Sequence, residues 1–126
     1  MAKLRTATNI FSERSGWVLP DAYAEQIRAI DERISLVTPR TKNELLTELP
    51  EVEVLFGRPL NQDELAEAGK LRWIQLASAG ANSVLTPEFL RSDVILTTAA
   101  GVHPIQISEH VFAMMLMFAR RMHEYQ

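Results

Sequence analysis

The sequence contains no cysteine, no long apolar run and no marked excess of charge of one sign. Without cysteine it can form neither disulfide bonds nor a thiolate centre, which agrees with a reducing compartment, so we expect a cytoplasmic protein. Its longest uninterrupted apolar run, Val111–Ala119, is far shorter than the roughly 20 residues that span a bilayer. Thirteen basic and sixteen acidic side chains give a net charge of −3, so the basic patch of a nucleic-acid-binding protein is not expected.

Two further absences concern binding sites. No G-x-G-x-x-G occurs, so the fingerprint for the pyrophosphate of a dinucleotide is missing. The N-terminus carries Lys3 and Arg5 but no long apolar segment behind them, so we predict no signal peptide. The histidines, His103, His110 and His123, are too irregularly spaced to predict a metal site, and we expect none.

What is present fits one globular α/β domain. The length of 126 residues and a hydrophobic content of 47% suit a single soluble domain. Strands are predicted at Lys3–Phe11, Ile34–Thr38, Val52–Phe56, Trp73–Leu76 and Val94–Thr97. Helices are predicted to begin near Pro20, Thr41, Asn61, Pro87 and Pro104. This alternation predicts a parallel sheet with right-handed crossovers, and therefore a flavodoxin-like three-layer domain over residues 1–103.

Two turns of small residues follow the last two predicted strands. The first is Ser78-Ala79-Gly80, and the second runs from Thr98 to Gly101. Outward-pointing turn amides and a following helix N-terminus form a cradle for a small anion. The same pattern occurs in plain strand–helix connections, because glycine is the default residue where φ is positive. Both interpretations stay open at this point.

One arginine stands where it could assist such a cradle. The third predicted strand ends at Gly57-Arg58-Pro59. A guanidinium can bind both oxygens of a carboxylate, so Arg58 is a candidate for substrate binding, and a solvated arginine beside a turn is the alternative. Ligands of open α/β sheets bind at the carboxyl ends of the strands, and we expect Arg58 and both turns to lie at that edge.

The last helical pattern is more apolar than a helix on one sheet requires. It runs from Pro104 to about Tyr125 and carries two adjacent apolar stripes. One stripe consists of Ile107, Val111, Met114, Met115, Phe118 and Met122, and the other of Phe112, Leu116 and Ala119. A single stripe is enough to cover one face, so we predict that segment 104–126 is an interdomain or dimerisation helix, which packs against another domain, another subunit or both. The alternative is that this segment forms a core helix of the same domain. We also predict that Trp17 and Trp73 lie in the core of the domain.

The strings LRWIQLASAGANSVL and SDVILTTAAGVHPIQISEHVFAMMLMFARR resemble the substrate domain of the D-isomer-specific 2-hydroxyacid dehydrogenases. The resemblance covers essentially the whole chain. It implies that the backbone amides of Ser78, Ala79 and Gly80 hold a substrate carboxylate. It also implies that Gly101 and Ile107 approach the nicotinamide end of a coenzyme, although Ile107 stands where many relatives carry threonine and so lacks a polar contact.

The resemblance also implies what the chain would do. The intact enzyme would reduce a 2-oxo acid, or oxidise a D-2-hydroxy acid, with NAD or NADP, and it would form a homodimer through the helix at 104–125. In the family the catalytic arginine, glutamate and histidine lie in and beyond a dinucleotide-binding domain that these 126 residues do not include. We therefore predict no catalytic residue in the chain, no tight coenzyme binding and no activity for the chain alone. A non-catalytic small-anion-binding or dimerisation module that retains the fold is the alternative.

Overall fold

The computed structural model describes residues 3–125, so Met1, Ala2 and Gln126 of the predicted segments 1–103 and 104–126 lie outside the described residues. The strands are β1 (Leu4–Asn9), β2 (Phe11–Ser12), β3 (Trp17–Val18), β4 (Ile34–Val37), β5 (Val54–Gly57), β6 (Trp73–Leu76) and β7 (Ile95–Thr97). The helices are α1 (Asp21–Arg28), α2 (Lys42–Glu48), α3 (Gln62–Glu67), α4 (Pro87–Leu90) and α5 (Pro104–Ala119), with 3₁₀ turns at Leu49–Glu51 and Met122–Glu124. None of the helices within residues 3–125 is long and apolar enough to cross a membrane.

Five of the strands form one parallel sheet in the order β4-β1-β5-β6-β7. Helices connect these strands and lie on both faces, which confirms the predicted flavodoxin-like three-layer fold. The strand order reverses between β1 and β5, so the topological switch point lies between these two strands. The hairpin of β2 and β3 was not predicted, because two-residue strands are too short to show an alternating pattern.

Polar caps fix where the helices begin. The Asn61 side chain accepts a hydrogen bond from the Glu64 N–H, and the Glu64 carboxylate accepts one from the Asn61 N–H, both at 2.9 Å. At α4 the Thr86 hydroxyl accepts from the Phe89 N–H at 3.2 Å, just before Pro87 at the first helical position. Such caps satisfy the N–H groups that a helix leaves unpaired at its start, which is why these helices begin where the sequence predicts.

The core lies on one face of the sheet. The register aligns Ala7, Leu55 and Ile74 across β1, β5 and β6, and each is at most 1% exposed. Residues from α2, α4 and the region after α3 complete this cluster. Its members are Ala7, Phe11, Leu45, Leu49, Val52, Leu55, Ala68, Leu71, Ile74, Leu76, Val84 and Phe89. The burial of this face stabilises the sheet and fixes its register.

The opposite face is only half covered. Helix α1 lies against β4 and buries Ala24, but no helix within residues 3–125 covers the β5–β6–β7 side. We call the side chains of Val54, Phe56, Trp73, Ile95 and Thr97 on this side the open face. Consequently Trp73 is 39% exposed, and Trp17 in the neighbouring hairpin is 49% exposed. The prediction that both tryptophans lie in the core is therefore wrong.

Helix α5 lies clear of the rest of the domain. All of its residues are exposed except the half-buried Met117, and among the described residues its main contacts are with the 3₁₀ turn that follows it. It is therefore not a core helix of this domain. The helix ends at Ala119 rather than near Tyr125, because Arg121 adopts a left-handed conformation with φ of 53° and breaks the helical hydrogen-bond pattern.

One buried hydroxyl of the sheet lacks a partner. Within residues 3–125, Thr8 Oγ1 is the one buried side-chain polar atom without a hydrogen bond, and Thr8 is 1% exposed. We expect Thr8→Val to raise the free energy of unfolding by about 1 kcal/mol, because valine keeps the shape and removes an unsatisfied polar group. Urea denaturation followed by circular dichroism measures the change. Thr6→Val is the control, since the Thr6 hydroxyl donates to the Leu4 carbonyl at 3.4 Å; an equal gain for both variants would contradict this explanation.

Candidate functional site

The carboxyl ends of four parallel strands meet at one edge of the sheet. The Arg58 N–H donates to the Asn9 carbonyl at 3.0 Å, which joins the ends of β5 and β1. The Ala77 N–H donates to the Gly57 carbonyl at 3.0 Å, and the Ala99 N–H donates to the Ser78 carbonyl at 2.9 Å. Arg58 and both small-residue turns therefore lie along a single edge, and the two turns are directly hydrogen-bonded to each other.

Gly57 sets the backbone path at the centre of this edge. Its φ is +132°, and a β-carbon placed there would lie 2.5 Å from the Asn9 carbonyl oxygen. A contact of that length is not possible without moving the backbone, so only glycine fits. The Asn9 side-chain amide also donates to the Arg58 carbonyl at 3.0 Å. The ends of β1 and β5 are thus held together immediately before the Arg58 side chain.

The Arg58 side chain extends toward the β1 side of β5. Its Nη2 donates to the Phe11 carbonyl at 2.6 Å, and its Cζ lies 5.0 Å from the centre of the Phe11 ring. The Ser78 turn lies on the other side of β5, after β6. Within residues 3–125 no hydrogen bond joins Arg58 to that turn. The structure therefore brings Arg58 and the turn to one edge without bringing them into contact.

An open cavity of about 540 Å³ lies at the switch point beside Arg58. Its charged lining residues are Glu13, Arg14, Lys42, Arg58 and Glu64. Lys42 Nζ pairs with Glu64 at 3.1 Å, and the Glu13 carboxylate accepts from the Lys42 N–H at 2.7 Å. Neither Arg14 nor Arg58 pairs with a carboxylate in the described part of the chain. Arg14 was missed because it lies in the unpredicted β2–β3 hairpin.

The first turn presents backbone amides to solvent. The Ser78 hydroxyl donates to the Gly80 carbonyl at 2.9 Å and closes the turn. The N–H groups of Ser78, Ala79 and Gly80 have no protein acceptor within residues 3–125, and all three residues are exposed. A β-carbon at Gly80 would meet nothing within 4 Å, and the φ of Gly80 lies outside the left-handed region. The fold therefore does not require glycine at this position.

The second turn does require a special backbone conformation. Gly101 has φ of +87°, and the Ala100 N–H donates to the Thr98 hydroxyl at 3.3 Å. Ile107 follows in the first turns of α5, where its N–H donates to the His103 carbonyl at 3.1 Å and its side chain is 61% exposed. Both Gly101 and Ile107 are exposed. Their approach to a coenzyme stays a prediction.

Among the described residues no cluster of metal ligands forms, and Asp31, whose pKa is shifted, lies away from the carboxyl edge. In the described part of the chain, no three His, Cys, Asp or Glu side chains come together as metal ligands do. The Arg33 side chain donates to the Asp31 carboxylate and lowers the pKa of Asp31 to about 2. This pair precedes β4 and so lies at the amino edge of the sheet, opposite both turns. The chemistry that the carboxyl edge itself can perform is the binding of a small anion by backbone amides.

A family model matches most of the chain. The family model described as "D-isomer specific 2-hydroxyacid dehydrogenase, catalytic domain" matches residues 18–123, which is more than four fifths of the chain. The matched segment includes β5, β6, β7 and α5 and therefore both turns. No curated protein matches the chain.

Proposed function

The chain belongs to the D-isomer specific 2-hydroxyacid dehydrogenase family as a catalytic domain, and on this premise we propose that it binds the substrate of an NAD(P)-dependent oxidoreductase. The substrates would be D-2-hydroxy acids and the corresponding 2-oxo acids. The cytoplasmic location of the enzyme stays a prediction.

The observation that supports this proposal most directly is the pair of bonded turns at the carboxyl edge. Ser78, Ala79 and Gly80 offer three N–H groups without protein acceptors, and the Ala99–Ser78 hydrogen bond fixes the second turn beside them. Backbone N–H groups of exposed residues that lack a protein acceptor are suited to a carboxylate, because they bind its charge without a side chain that must be ordered. We propose that these amides bind the carboxylate of the substrate.

Arg58, which lines the adjacent cavity, is a cation at the same edge that can attract the same carboxylate. Its Nη1 and Nε remain available, because the hydrogen bond to the Phe11 carbonyl uses only Nη2. We propose that the substrate carboxylate lies on the Ser78 turn and that Arg58 contributes positive potential from the β5 end. A bound nicotinamide coenzyme would supply the hydride chemistry. Because the chain carries no G-x-G-x-x-G, its own residues do not fit the pyrophosphate of that coenzyme, and tight coenzyme binding is not expected.

Titration with 2-oxo acids tests the substrate site. Glyoxylate, pyruvate and hydroxypyruvate are added to the ¹⁵N-labelled chain while the backbone amide resonances are followed. We expect saturable shifts at Ser78, Ala79 and Gly80 with dissociation constants in the millimolar range, and no such shifts with hydroxyacetone, which lacks the carboxylate. Shifts that are equal for hydroxyacetone, or absent at these three amides, would remove the basis for the proposal. The chain alone is expected to oxidise no NADH.

The small size of residue 80 provides a sharper test. We expect Gly80→Val to weaken 2-oxo acid binding at least tenfold, because its side chain would obstruct the approach of a carboxylate to the turn amides. Stability should change by less than about 1 kcal/mol, because a β-carbon at this position meets open space. Gly69→Val is the matched control, since Gly69 also has nothing within 4 Å but lies outside both turns. Equal losses of binding in the two variants would contradict the assignment.

We also propose that the chain forms a homodimer through the helix at 104–125. The supporting observation is the exposure of α5, whose large apolar side chains have no cover within the described domain. A surface of this kind marks a protein interaction site. The same observation favours the second candidate function, a non-catalytic dimerisation module that retains the fold. Carboxylate binding at the Ser78 turn distinguishes the two, because a module of that kind has no need of it.

A further inference from the structure

The cavity at the switch point is separate from the first turn. Its volume is about 540 Å³, and no residue of that turn lines it. The register aligns Asn9, Gly57 and Leu76 across β1, β5 and β6. Asn9, which lines the cavity, therefore lies two strand spacings, or about 10 Å, from the strand that leads into the turn. A 2-oxo acid of two or three carbons is shorter than this separation, so such an acid on the turn does not fill the cavity.

The lining of the cavity carries a surplus of positive charge. Lys42 Nζ is neutralised by the Glu64 carboxylate at 3.1 Å. Of the remaining charged groups, Arg14 and Arg58 are cations and Glu13 is the anion, and the Glu13 carboxylate already accepts from the Lys42 N–H at 2.7 Å. Within residues 3–125 neither arginine pairs with a carboxylate. Two guanidinium groups against one carboxylate leave the lining positive, so the cavity suits an anion.

Asn9 adds a hydrogen-bond acceptor to this lining. Its Nδ2 donates to the Arg58 carbonyl at 3.0 Å, which fixes the orientation of the amide and places Oδ1 on the other side. No donor among the described residues reaches Oδ1, yet this atom is not one of the fully enclosed polar atoms. Asn9 is 5% exposed and lines the cavity, so Oδ1 is open to the cavity. A mostly buried amide oxygen of this kind requires an N–H or O–H donor.

The donors and the acceptor together specify a chemical class. The hydrogen bond from Arg58 to the Phe11 carbonyl uses only Nη2, so Nη1 and Nε are available beside the guanidinium of Arg14. One guanidinium pairs with both oxygens of a carboxylate, whereas a tetrahedral phosphate has further oxygens for a second guanidinium. Inorganic phosphate also keeps at least one O–H at neutral pH, which can donate to Asn9 Oδ1. Sulfate keeps none, so the lining favours phosphate over sulfate.

We propose that the switch-point cavity is a phosphate-binding site. Arg14 and Arg58 bind the phosphate oxygens, and Asn9 Oδ1 accepts a hydrogen bond from an O–H of the ligand. The ligand is inorganic phosphate or a small phosphomonoester with a hydroxyl group, since both present an anionic phosphate and an O–H. The cavity volume lies within the range of about 300–1,000 Å³ that is typical of small-molecule sites, so an ester fits. The site is distinct from the proposed substrate site and shares only Arg58 with it.

Titration of the full ¹⁵N-labelled chain with inorganic phosphate tests the site. Ionic strength is held constant while the Asn9 side-chain amide and the Nε–H signals of Arg14 and Arg58 are followed. We expect these signals to shift saturably. Sulfate should bind at least tenfold more weakly, because it has no O–H to donate to Asn9. Equal affinities for phosphate and sulfate, or phosphate shifts confined to the amides of the first turn, would overturn the proposal.

Arg14→Gln tests the contribution of the second guanidinium. The Arg14 side chain is exposed and forms no ion pair within residues 3–125, so the fold does not depend on it. We expect the variant to bind phosphate at least tenfold more weakly. Arg91→Gln is the matched control, with an expected change of less than about twofold, because Arg91 is also exposed but follows α4 and does not line the cavity. Circular dichroism verifies that both variants are folded. Equal affinities of the two variants would contradict the site.

Two further ligands distinguish the sources of the anion. Tighter binding of glycerol 3-phosphate than of inorganic phosphate would support the site and identify a phosphomonoester as its ligand, and the reverse order would support the site with the free ion as its ligand. D-Lactate carries a carboxylate and an O–H but no phosphate, so we expect it to leave the Arg14 signal unshifted. Binding of D-lactate at Arg14 as tightly as phosphate would overturn the proposal.

The substrate titration is evaluated separately from these measurements. Phosphate binding at Arg14 without glyoxylate shifts at the first turn would support this inference and contradict the proposed substrate site. Glyoxylate shifts at the first turn without phosphate binding at Arg14 would do the reverse.

Discussion

Gly57→Ala is expected to lower the free energy of unfolding by about 3–5 kcal/mol, because backbone strain and a steric clash add at the same position. The new β-carbon would lie 2.5 Å from the Asn9 carbonyl oxygen and 2.7 Å from Ile10 Cγ1. A φ of +132° is also a backbone conformation that residues other than glycine rarely adopt. Because the clash involves backbone atoms of the neighbouring strand, a change of rotamer cannot relieve it.

Urea denaturation of the wild type and the variant measures this loss. Gly16→Ala is the matched control, because Gly16 has φ of +68° but a β-carbon there would meet nothing within 4 Å. The control isolates the cost of a positive φ, which we expect to be about 1 kcal/mol. A Gly57→Ala variant that loses no more stability than Gly16→Ala would show that the Asn9 contact relaxes. The expected order of the two stability losses therefore tests the close contact between Gly57 on β5 and Asn9 on β1.

The consequence extends to the candidate site. The Arg58 N–H and carbonyl both bond to Asn9, so a displaced residue 57 moves the start of the Arg58 side chain. The Gly57 carbonyl also accepts from the Ala77 N–H, immediately before the first turn. One residue thus positions both components of the proposed carboxylate site. Its role in the fold and its role in the site are inseparable in this variant, whereas Gly80→Val separates them.

The sheet could be predicted because short segments rich in β-branched and large apolar residues stand between clear helix signals. Trp73–Leu76 occurs as predicted, and Asn61 begins α3 through a complete capping box. These features depend on local sequence, because helix caps, turns and the spacing of apolar residues are each determined by a few neighbouring residues. The alternation of strands and helices also predicted that Arg58 and both turns lie at the carboxyl edge, because parallel strands with crossover helices must end on the same side of the sheet. Local rules therefore give the architecture and the edge on which the turns lie.

The remaining features depend on contacts between distant parts of the chain. The hairpin that carries Arg14 has two-residue strands, and the direction of the Arg58 side chain depends on the Phe11 carbonyl. Likewise, the exposure of Trp17 and Trp73 depends on whether a helix covers that side of the sheet, which no local pattern of the two tryptophans specifies. The glycines differ for the same reason: Gly101 needs its positive φ, whereas Gly80 does not.

Leu55→Ala is the second change with a large expected effect. Leu55 is 0% exposed at the centre of the covered face, between Ala7 on β1 and Ile74 on β6. Removing its three outer carbon atoms loses buried apolar contacts and leaves a cavity that the close-packed sheet cannot fill. We expect a loss of about 3–4 kcal/mol in the free energy of unfolding. For a domain whose total stability is about 5–15 kcal/mol, this is a large fraction.

The same substitution on the surface provides the comparison. Leu90 lies on α4 and is 67% exposed, so Leu90→Ala should change the stability by less than about 0.5 kcal/mol. Both variants are measured by urea denaturation, and their m-values should agree if the unfolded states are alike. Similar losses in the two variants would mean that the covered face is not the core of the domain.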